Sequence, residues 1–135
     1  MRISAGLLEQ VVAHATRDAP NECCGVLAVR DGVAVAVHEM ENVAASPLRF
    51  EVDGLELNRL LSEIEDRGEE LGAIYHSHTR SAPEPSQTDV NFAAYWPSVE
   101  WLIIGLSGSE PEVRSFMISA FGEIEEAPLV ILSAD

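Results

Sequence analysis

Positive charge is scarce in this chain: 8 Lys plus Arg stand against 23 Asp plus Glu, a formal net charge of -15 over 135 residues. Phosphate recognition needs a basic footprint, so nucleic acid is excluded as a partner and an anionic lipid surface is disfavoured. The acidic residues are spread along the chain rather than gathered in a tail, which is the distribution of a soluble surface. Cysteine is nearly absent, and the two present, Cys23 and Cys24, are adjacent. They lack Cys-x-x-Cys spacing and build no disulfide framework, so they are expected as small apolar core residues. No apolar run approaches a membrane span. The opening MRISAGLLEQ brings charge and polarity too early for a secretory signal, so a cytoplasmic protein is expected. Repeats, low-complexity segments and linkers are also missing. What remains is 47% hydrophobic content in a length that suits one domain, residues 1–135, around one core.

The apolar pattern orders the elements. Ser4 is a suitable cap for a helix carrying Leu7, Leu8, Val11, Val12 and Ala15, ended by Ala19-Pro20-Asn21. Residues 24–29 read as a buried strand, Arg30-Asp31-Gly32 as a turn, and residues 33–37 as the returning strand. Residues 48–52 read as a short strand. Asp53 with Glu56 has capping-box spacing before a helix with Leu57, Leu60, Leu61 and Ile64 on one side, and Gly68 stops it. Residues 71–77 form the next strand. Two prolines restrict the loop 79–85. A short helix starts at Ser86 and is closed by Pro97. Strands follow at 101–106 and 113–118, with a turn at Phe121-Gly122-Glu123 and an apolar tail at 128–132. The order predicts an α/β (α+β) fold, a mixed, mostly antiparallel sheet packed against helices.

Chemistry concentrates between Tyr75 and Asp89. His76 and His78 are two apart on a predicted strand, so they share a face. Ser86 and Asp89 are three apart on a predicted helix start, so they share a face there. A lone histidine is more often structural than a ligand, and Asp89 alone reads as a helix-start charge. Together the three ligand types make a His2Asp set with a position left for water, which suits zinc. Iron also accepts two histidines and a carboxylate, but nothing else here suggests oxygen chemistry. An activated water needs a base. Glu22 stands at the entry of the first strand. By default it is a surface carboxylate, but a strand beside that of His76 brings it to the metal. Ser86 has two readings, a helix cap and a donor to an oxyanion.

His76-Ser77-His78, seven residues, then Ser86-Gln87-Thr88-Asp89 resembles the signature of the JAMM metalloproteases, also called the MPN-plus family. Asn21-Glu22-Cys23-Cys24-Gly25-Val26-Leu27 resembles that family's catalytic-glutamate segment. The resemblance implies the JAMM/MPN fold, zinc held by His76, His78 and Asp89, Glu22 as acid–base residue and Ser86 as oxyanion donor. It is strongest to small bacterial members that cut the glycine tail of ubiquitin-like sulfur-carrier proteins, one of them releasing cysteine. The implied partner is such a carrier ending in Gly-Gly. The expected docking site for its tail is an exposed edge at Leu48-Arg49-Phe50-Glu51-Val52.

Two other functions compete. Zinc-dependent deamination also pairs an activated water with a glutamate, but its Pro-Cys-x-x-Cys segment is missing here. A non-catalytic MPN-type interaction domain would not need the complete metal set. The apolar tail predicts a homodimer in preference to a monomer, because an uncovered terminal strand invites association.

Overall fold

Ser4 ends one element and starts the next. Arg2–Ser4 form strand β1, and the Ser4 hydroxyl accepts the Leu7 N–H at 3.2 Å to cap helix α1, Ala5–Asp18. In this computed structural model, residues 1–96 and 98–133 are described. Strands β2 (Cys24–Arg30) and β3 (Val33–Met40) follow as an antiparallel hairpin. Asp31 and Gly32, both at positive φ, make its turn. Asp53 caps helix α2, Gly54–Asp66, by accepting the Leu55 and Glu56 N–H groups. Glu56 does not complete the reciprocal box but turns to Arg59. Then come β4 (Glu70–His78), helix α3 (Gln87–Ala93), β5 (Glu100–Gly105), β6 (Glu112–Ile118), β7 (Ile124–Ala127) and β8 (Val130–Leu132).

All eight strands join one sheet in the order β7-β6-β5-β4-β2-β3-β1-β8. The centre is antiparallel from β3 through β2 to β4, and α3 then crosses over to β5, which runs parallel to β4. The mixed sheet between helices is the expected class. Strand alternation sorts the core into two layers. Val26, Ile74, Trp101 and Ile103 pack with Leu57, Leu60 and Ile64 of α2 and Ala93 of α3. Leu27, Tyr75, Leu102 and Ile104 pack with Val11 and Ala15 of α1. Burying each large aliphatic of the α2 stripe stabilises the fold by roughly 1.5–3 kcal/mol.

The structure departs from the sequence-based expectations at 48–52 and adds two strands that they lacked. Residues 48–52 form no strand: they belong to an irregular loop after β3, held mainly by side-chain and turn hydrogen bonds. Strand β1 was too short to be read from a pattern. Strand β7, Ile-Glu-Glu-Ala, was hidden by its charge and exposure. The apolar tail is β8, paired in parallel with β1 through Arg2↔Val130, Ile3↔Ile131 and Ser4↔Leu132. The tail is therefore anchored to its own chain along one edge and ends the sheet at the other, with Val130 and Ile131 exposed, and the expected homodimer is not supported. Helix α3 is short as expected and ends at Ala93; Pro97, expected to close it, lies outside the described residues. Among the described residues, no helix is long and apolar enough to cross a membrane.

Candidate active site

Strand β4 aims Ile74, His76 and His78 at the α2/α3 layer and Tyr75 and Ser77 at the other. Glycine permits the close packing on that second side. Gly25 is registered opposite Tyr75, and a Cβ there would lie 2.4 Å from the Tyr75 ring. Across the sheet, Gly105 seats Pro83, whose ring a Cβ would meet at 2.7 Å. Pro83 in turn fixes the loop that supplies the Ala82 carbonyl to His78.

Helix α3 delivers the third ligand candidate. The Ser86 hydroxyl accepts the Asp89 N–H at 3.1 Å, and the Ser86 N–H donates to Asp89 Oδ2 at 2.9 Å, a complete capping box. The box turns the Asp89 carboxylate inward, with only 4% of the residue exposed. Its Oδ1 lies 3.1 Å from His76 Nε2 and its Oδ2 lies 3.2 Å from His78 Nε2. The two Nε2 atoms are 3.1 Å apart. One donor atom from each of the three residues lies within 4.8 Å of the others, the metal-ready group found among the described residues.

The hydrogen bonds themselves test whether a cation fits. A carbonyl only accepts, so His78 must donate its Nδ1–H to the Ala82 oxygen at 3.0 Å. As a neutral imidazole, His78 then presents a bare lone pair at Nε2 to a carboxylate oxygen and a second imidazole. In that neutral form the His78 Nε2, the Asp89 carboxylate and, once its Nε2 is deprotonated, His76 offer lone pairs to one point that a cation can share. The His76 Nδ1 finds no hydrogen-bond partner, and that ring is held by stacking on Phe50, with centroids 4.7 Å apart. Two imidazole nitrogens and one carboxylate suit zinc.

Glu22 arrives from β2. Cys24 is registered opposite His76, and Glu22 lies just ahead of that pair, 5% exposed. Burial raises its carboxyl most, His78 pulls it back, Asp89 raises it again, and it titrates at about 7. Asp89 goes the other way. Burial opposes its charge, but the two imidazoles and the Ser86 N–H outweigh that and hold its carboxyl well below the usual carboxylate range. Two neighbouring carboxyls are thus driven apart, one ionised and one poised to exchange a proton near neutrality. Burial pushes both Cys23 and Cys24 up to about 12, and both are fully buried, so neither is a nucleophile.

Glu22, His78, Ser86 and Asp89 line one pocket of ≈ 160 Å³. His76 sits beneath it, fully buried. Every residue singled out in the sequence is therefore at this place. Two walls were not anticipated in this form. One is the loop of Pro47, Leu48, Arg49 and Phe50, and the other is Thr79, Arg80 and Ser81 after β4. A wider hollow of ≈ 540 Å³ between β3 and α2 is lined by His38, Glu39, Glu56 and Glu63. It is larger, but the clustered metal donors are not there. Asn42 also escaped the sequence reading; a single asparagine after a strand gives no periodic or spacing signal.

Similarity to known proteins agrees with this geometry. A sequence model of prokaryotic homologs of the JAB domain matches residues 4–119. The CysO-cysteine peptidase of Mycobacterium tuberculosis is 36% identical over 135 residues, covering 96% of this chain and 90% of that protein. A probable TtuB-protein conjugate cleaving protease of Thermus thermophilus is 37% identical over 131 residues, covering 96% of this chain and 82% of the other. The solution structure of DSY2949 from Desulfitobacterium hafniense superposes with a TM-score of 0.84 at 29% identity, covering 98% of this chain and 93% of that one. With the His2Asp group, the capped helix that carries its carboxylate and a match over most of its length, the chain belongs to the prokaryotic JAB-domain family of JAMM, or MPN-plus, zinc metalloproteases.

Proposed function

We propose that this chain, as one catalytic domain over residues 1–135, is a zinc-dependent peptidase. Its substrate is the amide or isopeptide bond that follows the C-terminal glycine tail of a ubiquitin-like sulfur-carrier protein. The observation that carries the reading is the convergence of His76, His78 and Asp89 donor atoms within 4.8 Å, with Glu22 lining the same pocket. The substrate class is supported by the two relatives, whose names describe a CysO-cysteine peptidase and a probable TtuB-protein conjugate cleaving protease.

His76, His78 and Asp89 would hold the zinc. Bound zinc supplies Lewis acidity, polarising a carbonyl and lowering the pKa of water. The protein's own groups do the rest. Glu22, with its carboxyl at about 7, takes a proton from the attacking water and returns it to the leaving amine. Ser86 Oγ uses an acceptor site for the Asp89 N–H, so its own O–H remains to donate to the developing oxyanion. The ≈ 160 Å³ pocket between the Leu48–Phe50 loop and the loop after β4 favours a tail without side chains, such as Gly-Gly.

The test is hydrolysis by zinc-loaded protein of a carrier ending in Gly-Gly joined to cysteine or to a lysine side chain. Release of the intact carrier with its free glycine carboxylate is expected, and exchange of the penultimate glycine for a bulky residue should damage cleavage more than changes on the amine side. Zinc-loaded protein inert on both adducts would overturn the reading.

A further inference from the structure

The loop between β3 and α2 forms one wall of the pocket without being part of the sheet. Its backbone must find partners elsewhere. Asn42, 8% exposed, supplies them. Its Nδ2 donates to the Glu22 carbonyl at 3.0 Å and to the Arg49 carbonyl at 3.1 Å. Its Oδ1 accepts the Ala44 N–H at 3.1 Å and the Glu51 N–H at 3.0 Å. An amide side chain has two donors and two acceptor sites, so Asn42 is fully used, and every bond goes to backbone. A fifth bond closes the unit: the Glu22 N–H donates to the Ser46 carbonyl at 2.9 Å. Glu22 is therefore bracketed on both its N–H and its carbonyl by the loop that carries Arg49 and Phe50. Phe50, in turn, stacks on His76.

We propose that Asn42 is a positioning residue that locks Glu22 and the pocket-wall loop into one rigid unit. The proposal rests on the reading of Glu22 as proton carrier and deepens it. The two halves of the side chain do different work. The Nδ2 donors hold Glu22 and Arg49, and the Oδ1 acceptors close the loop between Ala44 and Glu51. Removing the whole amide frees both the base and the wall. Removing only the donors frees Glu22 and the Arg49 carbonyl, while the closure between Ala44 and Glu51 remains.

Three variants separate this from a general loss of stability: Asn42→Ala, Asn42→Asp and, as a control in the core under α2, Leu60→Ala. All are saturated with zinc, checked for one metal per chain, and assayed below their melting temperatures. A misplacement on the ångström scale costs about 10²-fold in turnover. Asn42→Ala is expected to lose kcat by about that factor and to raise KM. Asn42→Asp keeps both acceptor bonds and should lose kcat with a smaller rise in KM than Asn42→Ala. Leu60→Ala should melt earlier with both constants unchanged. Hydrogen exchange gives a readout free of activity. The Ala44, Glu51 and Glu22 amides should lose protection in Asn42→Ala, while the His76 and Ser77 amides keep it. Kinetics of Asn42→Ala that match the unaltered protein, or protection unchanged at those three amides, would overturn the proposal. If the unaltered enzyme cleaves no carrier adduct, the proposed function fails instead, and the exchange pattern still decides whether Asn42 couples Glu22 to the loop.

Discussion

Tyr75 and His76 are consecutive residues of β4, and each belongs to a cluster in which a buried histidine meets a carboxylate. On the α1 side, His14 Nδ1 meets the Tyr75 hydroxyl at 2.7 Å and His14 Nε2 meets Asp18 Oδ2 at 3.1 Å. Each ring nitrogen there has a complementary partner. On the α2/α3 side, two Nε2 atoms and two carboxylate oxygens converge at 3.1–3.2 Å beside a pocket, and the His76 Nδ1 has no partner. Burial, histidine and carboxylate are common to both. What differs is convergence and saturation: the first cluster pairs one histidine with two partners, and the second gathers three metal-donor residues at one point and leaves a buried ring nitrogen, His76 Nδ1, without a partner. A buried histidine therefore points to metal chemistry when it converges on one point with a second imidazole and a carboxylate, not simply when it meets a carboxylate.

The contrast can be broken most forcefully at the ligands. His76→Ala, His78→Ala and Asp89→Ala should each lose bound zinc and with it all measurable cleavage, while His14→Ala keeps one zinc per chain. Elemental analysis after dialysis decides it, and equal zinc in the ligand variants and the unaltered protein would remove the assignment. Glu22→Gln comes next. It should keep its zinc and lose about 10²–10⁴-fold in kcat, the usual worth of a positioned acid–base group. Single-turnover kinetics near those of the unaltered protein would defeat the assigned role. Ser86→Ala should lose about 10²–10³-fold in the chemical step. It also loses a helix cap worth roughly 0.5–2 kcal/mol, so a thermal melt is run beside the kinetics to separate the two.

A pH titration sharpens the same contrast without activity. In the folded, metal-free chain Glu22 keeps its proton up to about 7, while an unperturbed glutamate releases it near 4.5. The folded state binds more protons between those values, so stability falls as pH rises through that window, and the loss is complete above it. Glu22→Gln removes this penalty. The metal-free variant should melt above the unaltered protein at about pH 8 and together with it at about pH 4. Coincident melts at the higher pH would show that Glu22 is not raised. The smallest effect belongs to the saturated cluster. His14→Ala leaves the buried Tyr75 hydroxyl without its partner and should cost about 1–3 kcal/mol in denaturant unfolding, with kcat unchanged. A fall in kcat would show that the two faces of β4 communicate.

Much of the site was legible because its parts are local. The spacing of His76 and His78 suffices to place them on one side of a strand, and Ser86 with Asp89 announces a capped helix start. Those relations depend only on the repeat of each element. The α2 stripe of Leu57, Leu60 and Ile64 was readable for the same reason. Other features carry no local signal. Residues 48–52 have the composition of a strand, but they are claimed by Asn42 and by the Val43–Glu51 bond, not by a neighbouring strand. Strand β7 exists because β6 offers it an edge, in spite of its acidic residues.

The amino-acid sequence by itself determined the ligand types, their spacing and the caps that aim them, because helix and strand periods are built into the backbone. Only the tertiary structure decided that Cys24 pairs with His76, and so that Glu22 reaches the pocket rather than open solvent. It also decided that Asn42 ties Glu22 to the loop over His76, and that the tail lies on β1. These are register choices between segments far apart in the chain. They follow from the best simultaneous burial of both faces of the sheet, a condition that no stretch of sequence satisfies alone.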